Sequence, residues 1–256
     1  MSGVTPGAAL ATPVIEAALA AGRLVLSEHE AKRVLSAYGV PVTAETLVKD
    51  IAGLGQALAA LSFPVVLKID SPDILHKTEA GLVVLGCTSA DDARSSFERI
   101  MARAAASFPA AVINGVLVQE MVADPVAECI VGMKKDPQFG PTVMFGLGGI
   151  FVEVFGDIVL RVAPLSAGDA AEMIRDTKGY KLLTGARGRL KADVAGIEAV
   201  LMSMSRLALE LEPFLAEIDI NPLMVGSKGA WAGRSVVAAD ALVLLDGRAN
   251  HRVEGD

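Results

Sequence analysis

Aromatic residues make up only 4% of this chain. Its core must therefore be aliphatic, built of Val, Leu, Ile, Ala and Met. Basic runs are missing too: the net charge is −7, and no lysine or arginine cluster is interleaved with aromatics, which argues against a general nucleic-acid binder. Cysteine is nearly absent. Cys87 and Cys129 are the two present, both in apolar strand-like runs with no CxxC, so they read as buried free thiols in a reducing cytosol rather than a disulfide frame or a catalytic thiol. There is no apolar run of membrane-spanning length. The opening MSGVTPGAALATPVIEAALAAGR lacks the basic start of a signal peptide, and the expectation is a soluble, cytoplasmic protein with no membrane partner. What is plentiful is apolar residues, 52%, and 25 glycines in 256 residues, enough for one large core or two lobes with Gly-rich turns.

Residues 1–23, rich in Ala, Gly, Pro and Thr, read as a weakly ordered arm ending in a short helix. Ser27-Glu28-His29-Glu30 reads as a capping box, starting a helix over 28–38 with Ala31, Val34 and Leu35 on one face and His29 exposed in its first turn. A strand over Val42–Val48 follows, then a helix capped by Asp50 to about Leu61. Pro64–Asp70 and Gly81–Gly86 read as strands around a loop, Ser89 caps a long helix to about Ser107, and Val116–Val122 is a strand after the Asn114-Gly115 turn. From about residue 123 consecutive strands are expected at Ala127–Lys135, Pro141–Phe145, Ile150–Phe155 and Ile158–Val162. Ser166 caps a helix to about Arg175, and Thr177–Gly188 reads as a linker. Asp193 caps a helix with Val194, Ile197, Leu201, Met204, Leu207 and Leu211 inward, so Met202 and Met204 are core filler. Strands Phe214–Val225 and Val236–Leu245 close the chain, and a hinge is expected at Gln119-Glu120-Met121.

The chemistry concentrates in a few places. Lys68 sits inside the apolar run Val65–Ile69, where a lysine needs an anion to offset burial, and His76 follows on the next loop beside Lys77 and Glu79. A phosphate-holding lysine with a nucleophilic imidazole nearby suggests phosphoryl transfer; a snorkelling lysine and a solvated histidine is the alternative. Phe145-Gly-Leu-Gly-Gly-Ile150 puts glycines after a strand, where backbone N–H groups can approach phosphate or simply turn. Alternation places Glu217, Asp219 and Asn221 on one strand face opposite Ile218 and Ile220, and Asp240 on the last strand can add a third hard oxygen for Mg²⁺; a polar solvent face is the alternative. Arg161 in an apolar strand wants an anion, either a terminal phosphate or a carboxylate such as Glu153. The strand at 116–122 leads into a lobe connection, a suitable place for Glu120 and its neighbours to read an adenine edge, with Glu128 available to a ribose.

In this order, FPVVLKIDSPDILHKTEAG, GMKKDPQFGPTVMFGLGGIFVEV and EIDINPL resemble an ATP-grasp domain. More closely they resemble the ATP-grasp (β) subunit of NDP-forming acyl-CoA synthetases, the group of ADP-forming acetyl-CoA synthetase, related to succinyl-CoA synthetase. The resemblance implies an α/β (α+β) ATP-grasp fold of two lobes with nucleotide between them: an arm at 1–23, a small lobe at 24–120 with the His76 loop, and a large lobe at 121–256 with the Mg²⁺ site. It implies that Lys68 contacts nucleotide phosphates, Glu120 and Met121 flank adenine, Glu128 contacts ribose, and Gly148 and Gly149 face the phosphates, where Arg161 would help neutralise charge. It further implies that Asp219, Asn221 and Asp240 hold Mg²⁺ and that His76 is phosphorylated in transit. Many relatives read His-Lys-Ser/Thr-Asp-Val-Gly-Gly where this chain has His76-Lys77-Thr78-Glu79-Ala80-Gly81-Leu82. The activity implied is acid–CoA ligation with ATP/ADP and Mg²⁺, in a hetero-oligomer with an α subunit that binds CoA and forms the acyl phosphate. A stand-alone ATP-grasp carboxylate ligase and a non-catalytic nucleotide-sensing module are the alternatives.

Overall fold

The computed structural model describes residues 5–149, 152, 156–188, 190–231 and 233–247. The chain divides into two compact units. The smaller comprises Ser27–His29 and Thr43–Ala123; the larger comprises Met1–Leu26, Glu30–Val42 and Asp124–Asp256.

In the smaller unit, strands β1 (Glu45–Val48), β2 (Val65–Asp70), β3 (Val83–Cys87) and β4 (Gly115–Glu120) form an antiparallel sheet in the order β1-β4-β2-β3. Every residue of the inner strand β2 is buried. The helix at Ile51–Ala59 starts where the Asp50 carboxylate accepts from the Ala52 and Gly53 N–H groups. The helix at Ala90–Ser107 starts where Ser89 Oγ accepts from the Asp92 N–H, and it buries Phe97, Ile100 and Ala104 in a core with Leu67, Ile69 and Val118. Both caps follow the sequence reading.

In the larger unit, β5 (Ala127–Asp136), β6 (Gly140–Leu147), β7 (Ile158–Val162), β8 (Leu215–Val225), β9 (Val236–Ala238) and β10 (Ala241–Leu245) form one sheet. The order is β10-β8-β5-β6-β7, with β9 also paired to β8. Its inner face, carrying Val131, Met133, Val143, Phe145, Ile218 and Ile220, shares a core with Ile197, Leu201, Met204 and Leu207 of the helix Val194–Glu210. Burying such a row of apolar side chains, each contributing roughly 1.5–3 kcal/mol, is what drives this layer together. Cys87 and Cys129 are buried free thiols as expected, and burial pushes the Cys129 thiol up to about 12.

Several boundaries differ from the sequence reading. The arm expected at 1–23 to end in a short helix holds a 15-residue helix, Pro6–Ala20, capped by Thr5; Ala11, Val14, Ile15 and Ala18 join the larger unit's core, which holds the helix together across Pro13. The helix at Glu28–Ala37 places Ala31, Val34 and Leu35 in that same core, so 30–42 belongs with the larger unit rather than with a lobe beginning at 24. Glu30 carries a bidentate pair with Arg23, at 2.7 and 2.8 Å. The strand expected from Val42 begins at Glu45, and Val42 instead bridges Ala238. The second strand of the His76 region runs Val83–Cys87. The last strand is broken at Ala239-Asp240, between β9 and β10. The expected strand at Ile150–Phe155 lies, apart from Val152, outside the described residues, as does Glu153.

The stretch read as a linker holds a short helix, Tyr180–Leu183, and a 3₁₀ turn, Ala186–Gly188. Asp157, 3% exposed, fastens it by accepting from the Lys178 and Gly179 N–H groups at 2.8 and 2.9 Å. No helix among the described residues is long and apolar enough to cross a membrane. Asp157→Ala strands two donors and is expected to lower unfolding stability by about 2–4 kcal/mol, with Asp157→Asn costing less because one acceptor remains. Urea denaturation checks this; equal stability of all three proteins would remove Asp157 as the fastening point.

Candidate functional site

In the smaller unit, the site begins at the first residue of the helix Glu28–Ala37. Glu28 has no exposed side-chain surface. Its Oε1 accepts from Lys68 Nζ at 2.9 Å and its Oε2 from Lys77 Nζ at 2.7 Å. The alternation of β2 turns Lys68 to this acid, and Lys77 reaches it from the loop after β2. A carboxylate stripped of water is costly unless such charge-assisted bonds surround it. Sequence reasoning missed Glu28. It lies 40 residues from Lys68 and 49 from Lys77, beyond any local pattern.

His76 is exposed, one residue from the buried Lys77. Its loop is built by short-range bonds: the Ala80 N–H donates to the His76 carbonyl at 3.1 Å, and the Leu82 N–H to the Lys77 carbonyl at 2.8 Å. The Asp73 carboxylate accepts from the Val112 N–H at 2.7 Å at the loop's start. Nearby, His29 pairs through Nδ1 with Glu45 at 2.9 Å and donates its backbone N–H to Asp70, a structural role. Glu120, at the end of β4, accepts through Oε1 from the Ala44 N–H at 2.8 Å, and Met121 is exposed.

In the larger unit, register sorts the remaining residues by sheet face. Gly132 pairs with Asp219 and with Met144, and Met144 with Leu160, so these four share one face; Glu128 on β5 alternates onto it. Asp219 and Asn221 alternate along β8 with the buried Ile218 and Ile220 on the other face, as the sequence predicts. Asp240 sits beside them in the break between β9 and β10: the Asn221 N–H donates to the Asp240 carbonyl at 3.3 Å. A Cβ at 148 would press on the Glu128 carbonyl oxygen at 3.0 Å, the same oxygen to which the Gly148 N–H donates at 2.7 Å; Gly149 follows with φ +62°, where glycine is favoured.

Arg161 does not join this set. It pairs in register with the inner-face Val143, so it lies on the opposite side of the sheet from Asp219, and its Nη2 meets Asp176 Oδ2 at 2.6 Å. The carboxylate alternative is realised, with Asp176 as the acid.

Asp219 is electrostatically unsettled. Its Oδ1 is buried with no hydrogen-bond partner among the described residues. Burial, with Glu217 and Asp240 adding repulsion, pushes its carboxyl up to about 6. A cation would relieve both problems. No group of three His, Cys, Asp or Glu side chains poised for a metal occurs among the described residues. Two carboxylates and an amide, completed by water and phosphate oxygens, nonetheless suit Mg²⁺.

A family model described as an ATP-grasp domain matches residues 17–245. The β subunit of acetate–CoA ligase [ADP-forming] II from Pyrococcus furiosus is 41% identical over 237 residues, covering 93% of this chain and 98% of that one. This chain belongs to the ATP-grasp family of ADP-forming acetyl-CoA synthetase β subunits. Its structure agrees with this ATP-grasp assignment. The dinucleotide-forming acetyl-coenzyme A synthetase 1 of Ca. Korarchaeum cryptofilum, solved with coenzyme A, Ca-AMPCP and HgCl⁺, superposes with a TM-score of 0.86 at 41% identity, covering 92% of this chain and 100% of that one. The same enzyme with coenzyme A and Mg-AMPPCP, its phosphohistidine segment pointing towards the nucleotide binding site, gives a TM-score of 0.78 at 38% identity over the same shares.

The ATP-grasp chain should show the cost of Asp219 in its pH dependence. Because the folded value lies above the ordinary carboxylate value, the proton stabilises the fold at low pH, and that contribution is lost as pH rises through about 6. In metal-free buffer, Asp219→Asn should melt above the wild type at about pH 7.5, with the difference closing toward about pH 4. Parallel melting curves at every pH would contradict the assignment.

Proposed function

We propose that this chain is the nucleotide-binding β subunit of an ADP-forming acyl-CoA synthetase and moves a phosphoryl group between ATP/ADP and His76. The observation that carries the reading is the exposed His76 on a loop whose next residue is anchored to the acid that also holds Lys68. A neutral imidazole nitrogen is a nucleophile near pH 7. It would attack the γ-phosphorus of ATP, forming an N–P bond as the bond to the β,γ-bridging oxygen breaks and ADP leaves. The reverse step would regenerate ATP.

Residue roles follow the same proposal. Lys68 donates to nucleotide phosphates, and Gly148 and Gly149 lie on the phosphate side, the Gly148 N–H being held by the Glu128 carbonyl. Glu120 and Met121 border the adenine, and Glu128 takes the ribose. Asp219, Asn221 and Asp240 hold Mg²⁺, which supplies positive charge against the phosphate oxygens. Arg161 is left out, because it is paired with Asp176 on the other side of the sheet. The smaller unit is the lobe that presents His76, and the larger carries the Mg²⁺ site. An α subunit binding CoA and forming the acyl phosphate would complete a cytoplasmic hetero-oligomer.

The test is incubation with γ-labelled Mg·ATP, wild type beside His76→Ala. Acid-labile, base-stable label on the wild type alone is expected. Label on both proteins removes His76 from the reaction. Absence of label despite measured nucleotide binding, with the partner subunit also present, would favour a ligase without a phosphohistidine or a sensing module.

A further inference from the structure

Glu28 touches neither the proposed nucleotide nor His76 in the assigned roles, yet its side chain is fully buried, with 0% exposure. It divides its two oxygens between a strand lysine and a loop lysine. Around His76, Leu75, Thr78 and Glu79 are exposed. Lys77, 8% exposed, is the buried anchor nearest the imidazole. The loop's other fastenings are Asp73 on the Val112 N–H and Ile74 in the core before His76, and after it the backbone bonds from Ala80 and Leu82 back to the His76 and Lys77 carbonyls, with the Leu82 carbonyl accepting from the Ile69 N–H; Lys77 is the charged side chain among them.

We propose that Glu28 is a positioning residue that latches the His76 loop through Lys77, and that phosphate arriving at Lys68 tightens the latch. This rests on the reading of Lys68 as a phosphate contact. The physical argument concerns shared charge. While both ammonium groups face Glu28, its negative charge is divided between them. An anion at Lys68 draws off part of that ammonium's field, and the buried carboxylate then leans more heavily on Lys77. Nucleotide therefore holds the loop and His76 in place during transfer, and departure of nucleotide loosens it. Glu28 moves no proton and forms no bond to phosphorus.

Amide hydrogen exchange over residues 72–82 reads the latch directly. Without nucleotide, Glu28→Gln and Lys77→Met should each speed exchange in this segment by about tenfold, and the double variant should exceed neither single one, because both remove the same contact. With Mg-AMPPCP, the wild type should slow in this segment. Glu28→Gln should bind the analogue, show protection around Asp219, and yet gain none at 72–82. Unchanged exchange in the nucleotide-free variants, additive effects, or full protection of 72–82 in Glu28→Gln would each overturn the proposal. If Glu28→Gln does not fold, Lys77→Met, which leaves the Glu28–Lys68 pair intact, carries the same comparison. The nucleotide-free arm is independent of phosphorylation, so failure of His76 labelling would remove the functional reading without touching this result.

Discussion

A carboxylate with no access to water must be neutralised where it stands, and the smaller unit is arranged so that Glu28 is. Two ammonium groups converge on it, one from a fully buried strand and one from the loop that carries His76. Removing one partner of such a cluster leaves an uncompensated charge in a dry setting, which costs far more than an exposed pair is worth. Contrast the Arg161–Asp176 pair, with side chains 36% and 51% exposed, which water screens and which contributes little. The buried triad pins the middle of the loop between β2 and β3 at Lys77, while the neighbouring His76 stays exposed.

The larger unit solves a different problem with a sheet. One face is aliphatic and closed by the helix Val194–Glu210. The other presents Glu128, Asp219 and Asn221 at alternate positions, with Asp240 delivered by the break that separates β9 from β10. An acid whose buried oxygen lacks a partner among the described residues and whose carboxyl is pushed up to about 6 is poorly served by those residues alone. That is the state expected of a group whose stabilising partner is a ligand.

Features with a local cause were legible in the sequence. Asp50, Ser89, Ser166 and Asp193 cap helices where they were read, because a side-chain oxygen two or three residues before a free N–H is a short-range geometry. The Glu217-Asp219-Asn221 face was legible because strand period is two. What failed depended on distant contacts. Pro6–Ala20 runs as one helix through Pro13 because a core receives it. The run VVAADALVLL reads as one strand although Asp240 breaks it. Glu28 was absorbed into a capping reading, since nothing local announces that its partners are Lys68 and Lys77. Arg161 was rightly seen to need an anion, but which one depended on sheet face and on Asp176, 15 residues away.

In the proposed function, phosphoryl passes reversibly between nucleotide and His76 on this chain. The most direct measurement is isotope exchange between labelled ADP and unlabelled Mg·ATP, with neither carboxylic acid nor CoA added. A phosphohistidine relay predicts that label appears in ATP with the wild type and that His76→Asn abolishes it. Exchange that persists in His76→Asn, or that demands acid and CoA although nucleotide binds, would contradict the account.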